Sequence, residues 1–165
     1  TPKPSSAASD VYKRQGDGPE RERIAALADN APNIILHGRV SDEEVLRMMR
    51  QARAFVFAAE EDFGIAMVEA QACGTPLIVF GRGGACDIVR DMGDAGGATG
   101  VFFAEQDADA IITAVERFES IQDRITPQAC HANAQRFSQS AFRQSMSRVV
   151  EQALHEMRPG TIEAT

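Results

Sequence analysis

Residues 60–76 read EEDFGIAMVEAQACGTP and carry two glutamates, Glu61 and Glu69, with seven residues between them. A Phe63-Gly64 pair follows the first acid, and an apolar helical pattern surrounds the second. Where Phe63-Gly64-Ile65 enters a helix, the first amides have no intrahelical acceptor. Gly64 lets another group approach the backbone closely. Bare amides at a helix N-terminus suit an anion, and a phosphate in particular. Glu69 lies one turn inside this helix, in register with Ile65, and helical side chains lean toward the N-terminus. Its apolar neighbours in sequence suggest burial. A carboxylate repels a phosphate but accepts hydrogen bonds from hydroxyls beside it, and ribose or hexose hydroxyls fit. Glu61, in the loop, is suited to the same work. The alternative is structural: Glu61 and Asp62 cap the helix, and Glu69 faces solvent or pairs with an arginine. The second loop, FGRGGACD at 80–87, is either part of the same site or an ordinary turn.

Bulk properties narrow the setting. A chain of 165 residues suits one domain with a sizeable core, and 44% hydrophobic with 25% charged residues makes it globular. The net charge of −7 argues against nucleic acid or an anionic membrane as the main partner. No apolar run is long enough for a membrane span, and no signal peptide is recognised. Cys73, Cys86 and Cys130 lack a C-x-x-C spacing and read as reduced thiols of a cytoplasmic protein. With His37, His131 and His155 scattered, a Cys/His metal site is not expected.

The acids must be held by something, and the pattern around them alternates. Residues 1–15, TPKPSSAASDVYKRQ, show no periodicity, and DVYKRQ resembles a translated sequencing-adapter sequence. The segment is expected to be a disordered tail or a scar, with the domain running from 16 to 165. GDGPERERIAALADN starts a helix near Pro19, and NIILHG is a strand closed by Gly38. SDEEVLRMMRQA offers a capping box of Ser41 and Glu44. RAFVFAA, PLIVFG and TGVFF read as buried strands, with helices at 65–73 and just after Gly84. Gly74 and Pro76 stop the first of these. DADAIITAVERFESI, TPQACHANAQRFS and SQSAFRQSMSRVVEQALHEM read as three closing helices. The last has an apolar stripe of Phe142, Met146, Val149, Val150 and Leu154, expected to be partly exposed. Apolar strands alternating with helices predict an α/β domain, Rossmann-like, with one parallel sheet covered on both faces. In such sheets ligands sit beyond the carboxyl ends of strands, so the loops at 38–41, 59–64 and 81–84 should line one crevice.

EEDFGIAMVEAQACGTPLIVFGRGG resembles the signature of the retaining GT-B glycosyltransferases of family 4, whose two glutamates have this separation. GDGPE, LHGRVSDEEVLRMMRQARAFVF and TGVFF match the flanking segments, so the likeness runs from Gly16 to about Val150. GRGGACDIV and TGVFFAEQ are most similar to bacterial mannosyltransferases of surface-polysaccharide assembly, with Asp87 where those usually have Glu. The resemblance implies the C-terminal, donor-binding half of a GT-B fold. It implies that Glu61 contacts the donor sugar near the reacting carbon and acts as the catalytic residue. It assigns Glu69 to the ribose hydroxyls, the amides of Phe63, Gly64 and Ile65 to the sugar and diphosphate, and Gly38, Arg39 and Val40 to the base.

The reaction implied is transfer of a hexose from a nucleoside diphosphate with retention, without cofactor or metal, to a glycan or lipid-linked acceptor. GDP-mannose is the donor favoured by local likeness, and Asp42 or Glu43 could meet guanine unless both simply occupy the first turn of their helix. The family's basic diphosphate grip and acceptor-binding half lie upstream of the matching segments, so this chain is expected to be inactive alone. A cytoplasmic enzyme is implied, its location at the inner membrane face left open, with no nucleic acid partner and any membrane contact made through other parts. The rivals are a sugar-nucleotide-binding or structural module without catalysis, and another GT-B enzyme such as a sugar-nucleotide epimerase.

Overall fold

The computed structural model describes residues 11–28 and 31–156. Of the described residues, those up to Met48 form one compact unit and those from Met49 a second. The division falls inside a helix, α2 (Asp42–Gln51).

In the N-terminal unit, β1 (Tyr12–Gln15) and β2 (Ile34–Gly38) pair in parallel, joined through helix α1 (Arg21–Ala28). Tyr12 lies opposite Ile34 and Gln15 opposite Gly38. This corrects the expectation of a tail reaching residue 15; residues 1–10 lie outside those described. The reason is that backbone groups make this strand. Tyr12 N donates to Asn33 O at 2.8 Å and Gly16 N to Gly38 O at 2.8 Å, while the side chains of Tyr12, Lys13 and Arg14 stay exposed. A ladder of amides needs no apolar pattern, so nothing in YKRQ announces it. Ahead of α2, Ser41 Oγ accepts from Glu44 N at 3.3 Å, which is half of the expected capping box. The Glu44 carboxylate turns instead to Arg47, whose Nε donates to it at 2.7 Å. That hydrogen bond holds the Glu44 carboxyl below its usual range.

In the C-terminal unit, β3 (Phe55–Phe57), β4 (Leu77–Phe80) and β5 (Gly100–Phe103) form a parallel sheet in the order β3-β4-β5. The strands are parallel, as expected, with two in the sheet of the N-terminal unit and three in that of the C-terminal unit; among the described residues β2 pairs with β1 and β3 with β4. Every residue of central β4 is buried. Side chains alternate across a strand, so Ile78 and Phe80 share one face. They join Val101 and Phe103 of β5 and Ala114 and Phe118 of α5 (Ala108–Ile121) in the core. Edge strand β3 is less buried than its apolar sequence suggested, with Val56 41% exposed.

Helices α3 (Ile65–Ala72) and α4 (Ala85–Ile88) follow β3 and β4. Gly74, at φ +84°, closes the turn after α3 in the left-handed region that glycine tolerates best. Helix α6 (Pro127–Ala134) packs against α3 and begins on Thr126, whose Oγ accepts from Ala129 N at 3.1 Å. Helix α7 (Gln139–Glu156) presents Phe142, Met146, Val149, Val150 and Leu154 as an exposed stripe, as expected. No helix among the described residues is long and apolar enough to cross a membrane.

Candidate functional site

Parallel strands put their carboxyl ends on one edge, and three loops of the C-terminal unit meet there. The loop after β3 carries Glu61, Asp62 and Phe63 and ends at Gly64. The loop after β4 is 81–84, and the loop after β5 is 104–107. Gln106 Nε2 donates to Ala58 O at 2.7 Å, tying the third loop to the first. Gly84 N donates to Glu61 O at 2.7 Å, tying the second to the first.

That second tie needs glycine. A β-carbon on Gly84 would lie 2.7 Å from Asp62 O and overlap the Phe63 carbonyl oxygen; one on Gly83 would overlap Glu61 O. Gly83 also sits at φ +59°. The loop at 81–84 is therefore a main-chain support pressed under the acidic loop. Sequence reasoning left its glycines between site and turn. Two glycines in a row after a buried strand were the signal, but only the geometry names their contact.

Gly64 enters α3 at φ +88° with no side-chain cap. Met67 N donates to Gly64 O at 3.0 Å, and the amides of Ile65 and Ala66 keep free donors, with the partial positive charge of the helix end behind them. Phe63 and Ile65 flank this entrance, 48% and 65% exposed. Glu69, one turn on, is exposed rather than buried, which corrects the impression given by its apolar sequence neighbours. It lies on the exposed face that also carries Ile65. Glu61 is exposed as well. Neither carboxylate has a hydrogen-bond or ion-pair partner among the described residues, and neither Glu61 nor Asp62 caps α3. The capping and arginine-pairing alternatives therefore fall, while the solvent-facing alternative for Glu69 agrees with its exposure. What remains is a helix end rich in donors beside two unengaged acceptors, able to bind an anion next to hydroxyl groups.

Gly38, Arg39 and Val40 belong to the N-terminal unit, at the end of β2. Gly38 is buried at φ +65°, Arg39 is exposed and Val40 is half-buried. Within that unit Gly16, Asp17, Gly18, Arg21 and Gly38 line a recess. Asp42 and Glu43 lie exposed in the first turn of α2, the position that helix electrostatics alone would favour. The Cys130 thiol is buried on α6, and burial pushes it up to about 11, so it is no nucleophile at neutral pH.

Residues 15–137 match the family described as "Glycosyl transferases group 1", so this chain belongs to that family of transferases. It is 28% identical over 140 residues to a D-inositol 3-phosphate glycosyltransferase of Streptomyces griseus, a match covering 83% of this chain and 29% of that protein. Among solved structures it resembles a sucrose-phosphate synthase of Thermosynechococcus elongatus, with a TM-score of 0.67 and 24% identity over 88% of this chain and 38% of that one. It also resembles Anabaena HepE, solved with UDP and glucose, with a TM-score of 0.62 and 20% identity over 89% and 43% of the two chains. These likenesses support the GT-B fold. The chain spans less than a third of the length of the curated relatives it matches.

Proposed function

We propose that this chain carries the donor site of a retaining hexosyltransferase that uses a nucleoside-diphosphate sugar. The observation that carries the reading is the uncapped entrance of α3, with two carboxylates, Glu61 and Glu69, that nothing among the described residues engages. In this reading the donor diphosphate meets the first-turn amides, where the helix end stabilises the charge that builds as the diphosphate leaves. Glu69 accepts from the ribose hydroxyls, and Glu61 from the sugar near its reacting carbon. HepE, bound to UDP and glucose, supports a nucleotide and a hexose as the ligand class. The donor we favour is GDP-mannose, on the likeness of GRGGACDIV and TGVFFAEQ to mannosyltransferases. The acceptor is a glycan or lipid-linked sugar met by other parts of a longer enzyme.

The test is a titration of this chain with GDP, UDP and ADP, followed by NMR at the amides of 63–66. The expected result is saturable shifts there, largest with GDP. Preference for UDP or ADP would end the mannose reading and keep the transferase reading. No shift with any of the three would leave a structural module.

A further inference from the structure

Against the last turn of α3, at the other end from its entrance, lies a buried polar cluster that the donor site does not use. Gln71 and Asn133 are 0% and 1% exposed, on α3 and α6. Asn133 Nδ2 donates to Gln71 Oε1 and to Ile88 O, at 2.6 Å each. Gln71 Nε2 donates to Thr99 Oγ1 at 3.0 Å, and that oxygen also accepts from Arg90 N at 2.9 Å. On the outer side, Arg136 Nη1 donates to Asn133 Oδ1 at 2.8 Å, and its Nη2 donates to Asp87 O at 3.3 Å. The Arg136 guanidinium lies 5.1 Å from the centre of the Phe137 ring, and Phe137 meets Phe63 edge to face at 5.8 Å. One short segment, 133–137, therefore touches the last turn of α3, the last two carbonyls of α4 and the Phe63 loop.

We propose that Asn133 and Arg136 are positioning residues, which hold the α3 entrance and the 81–84 loop in register so that amides and carboxylates face one ligand. Apolar packing fills the space between α3, α4 and α6 but does not fix their sliding. Hydrogen bonds of fixed length from one amide to two elements do, and a satisfied buried network specifies one arrangement. Arg136 closes the network by satisfying the Asn133 oxygen from outside. The inference rests on the donor-site reading for its consequence, and on the contacts alone for its geometry.

The test titrates this chain with GDP, UDP and ADP as wild type, Asn133→Ala, Arg136→Met and Phe118→Leu. Phe118 is a core residue of α5, outside the network, and reports what lost stability alone does. Asn133→Ala should weaken binding of the preferred nucleotide on the order of ten-fold, as expected when buried partners are left unsatisfied. Arg136→Met should weaken it several-fold, and Phe118→Leu should leave affinity within about two-fold at a temperature where each is folded. Should Asn133→Ala not fold, the more exposed Arg136→Met decides. Wild-type affinity in Arg136→Met, or equal losses in Phe118→Leu, overturns the proposal. If no nucleotide binds the wild type, the donor-site reading fails separately, and the free spectra decide. Displaced 63–66 and 83–85 amides in Arg136→Met uphold the positioning role, and unmoved ones end it.

Discussion

Helices α3 and α5 each follow a strand of the same parallel sheet and begin at the same edge, yet their entrances are built in opposite ways. At α5 the Asp107 carboxylate accepts from Ala110 N at 2.7 Å, so the helix end is finished from within. At α3 acids stand close by in sequence, but Gly64 turns the chain in at positive φ and no side chain caps it. A cap is worth about 1 kcal/mol to a helix. Helix α4, which starts at the same edge on Gly84, also lacks a side-chain cap, so α5 is the entrance of the three that is finished from within. The difference teaches which helix ends of this edge still have donors to offer, and the proposed donor site uses that of α3.

The largest effect should come from breaking the support under the open entrance. Gly84→Ala drives a β-carbon into the carbonyls of Asp62 and Phe63, and should cost about 3 kcal/mol of stability along with nucleotide binding. Thermal unfolding and titration of the same sample check both, and a variant of unchanged stability would show that the two loops do not press together. Next come the acids. Glu69→Ala should leave stability within about 0.5 kcal/mol, since the residue is exposed and unengaged. It should weaken nucleotide binding by roughly 1.5–3 kcal/mol, the range for hydrogen bonds to a charged group. Glu61→Ala should be equally silent in stability and, in a complete transferase, lower kcat more than it raises KM. Unaltered binding in Glu69→Ala would erase the contrast between the two helices. The smallest effect sharpens it from the other side. Asp107→Ala should lower stability by about 1 kcal/mol, seen in denaturant titration, with nucleotide affinity untouched.

Much of the scaffold was legible because its signals are local. Thr126-Pro127, Asp107 and Ser41 mark helix starts, Gly74 marks a stop, and the LIVF run of β4 marks a strand covered on both faces. The acidic pair was legible by spacing, and of the resemblance it carries the coarser part, a GT-B glycosyltransferase, is what the match of residues 15–137 supports. Other features depend on partners far along the chain. Tyr12–Gln15 becomes a strand through amides and carbonyls that every residue possesses. Gln71 and Asn133 look like surface residues of amphipathic helices until the fold brings them together across 62 positions. Glu69 looked buried because helical neighbours in sequence do not share a face.

The loop at 81–84 also bears on how such a site could diversify. Gly83 and Gly84 admit no side chain because carbonyls occupy the space, whereas Arg82, just ahead of them, is exposed, its guanidinium 5.8 Å from the centre of the Phe80 ring. Mutation can therefore exchange the head group at 82 without moving the mount that carries it. Selection for a new ligand would find one permissive position in this loop, immediately ahead of two that its packing requires to be glycine. Variation confined in this way lets recognition drift while stability stays above its threshold.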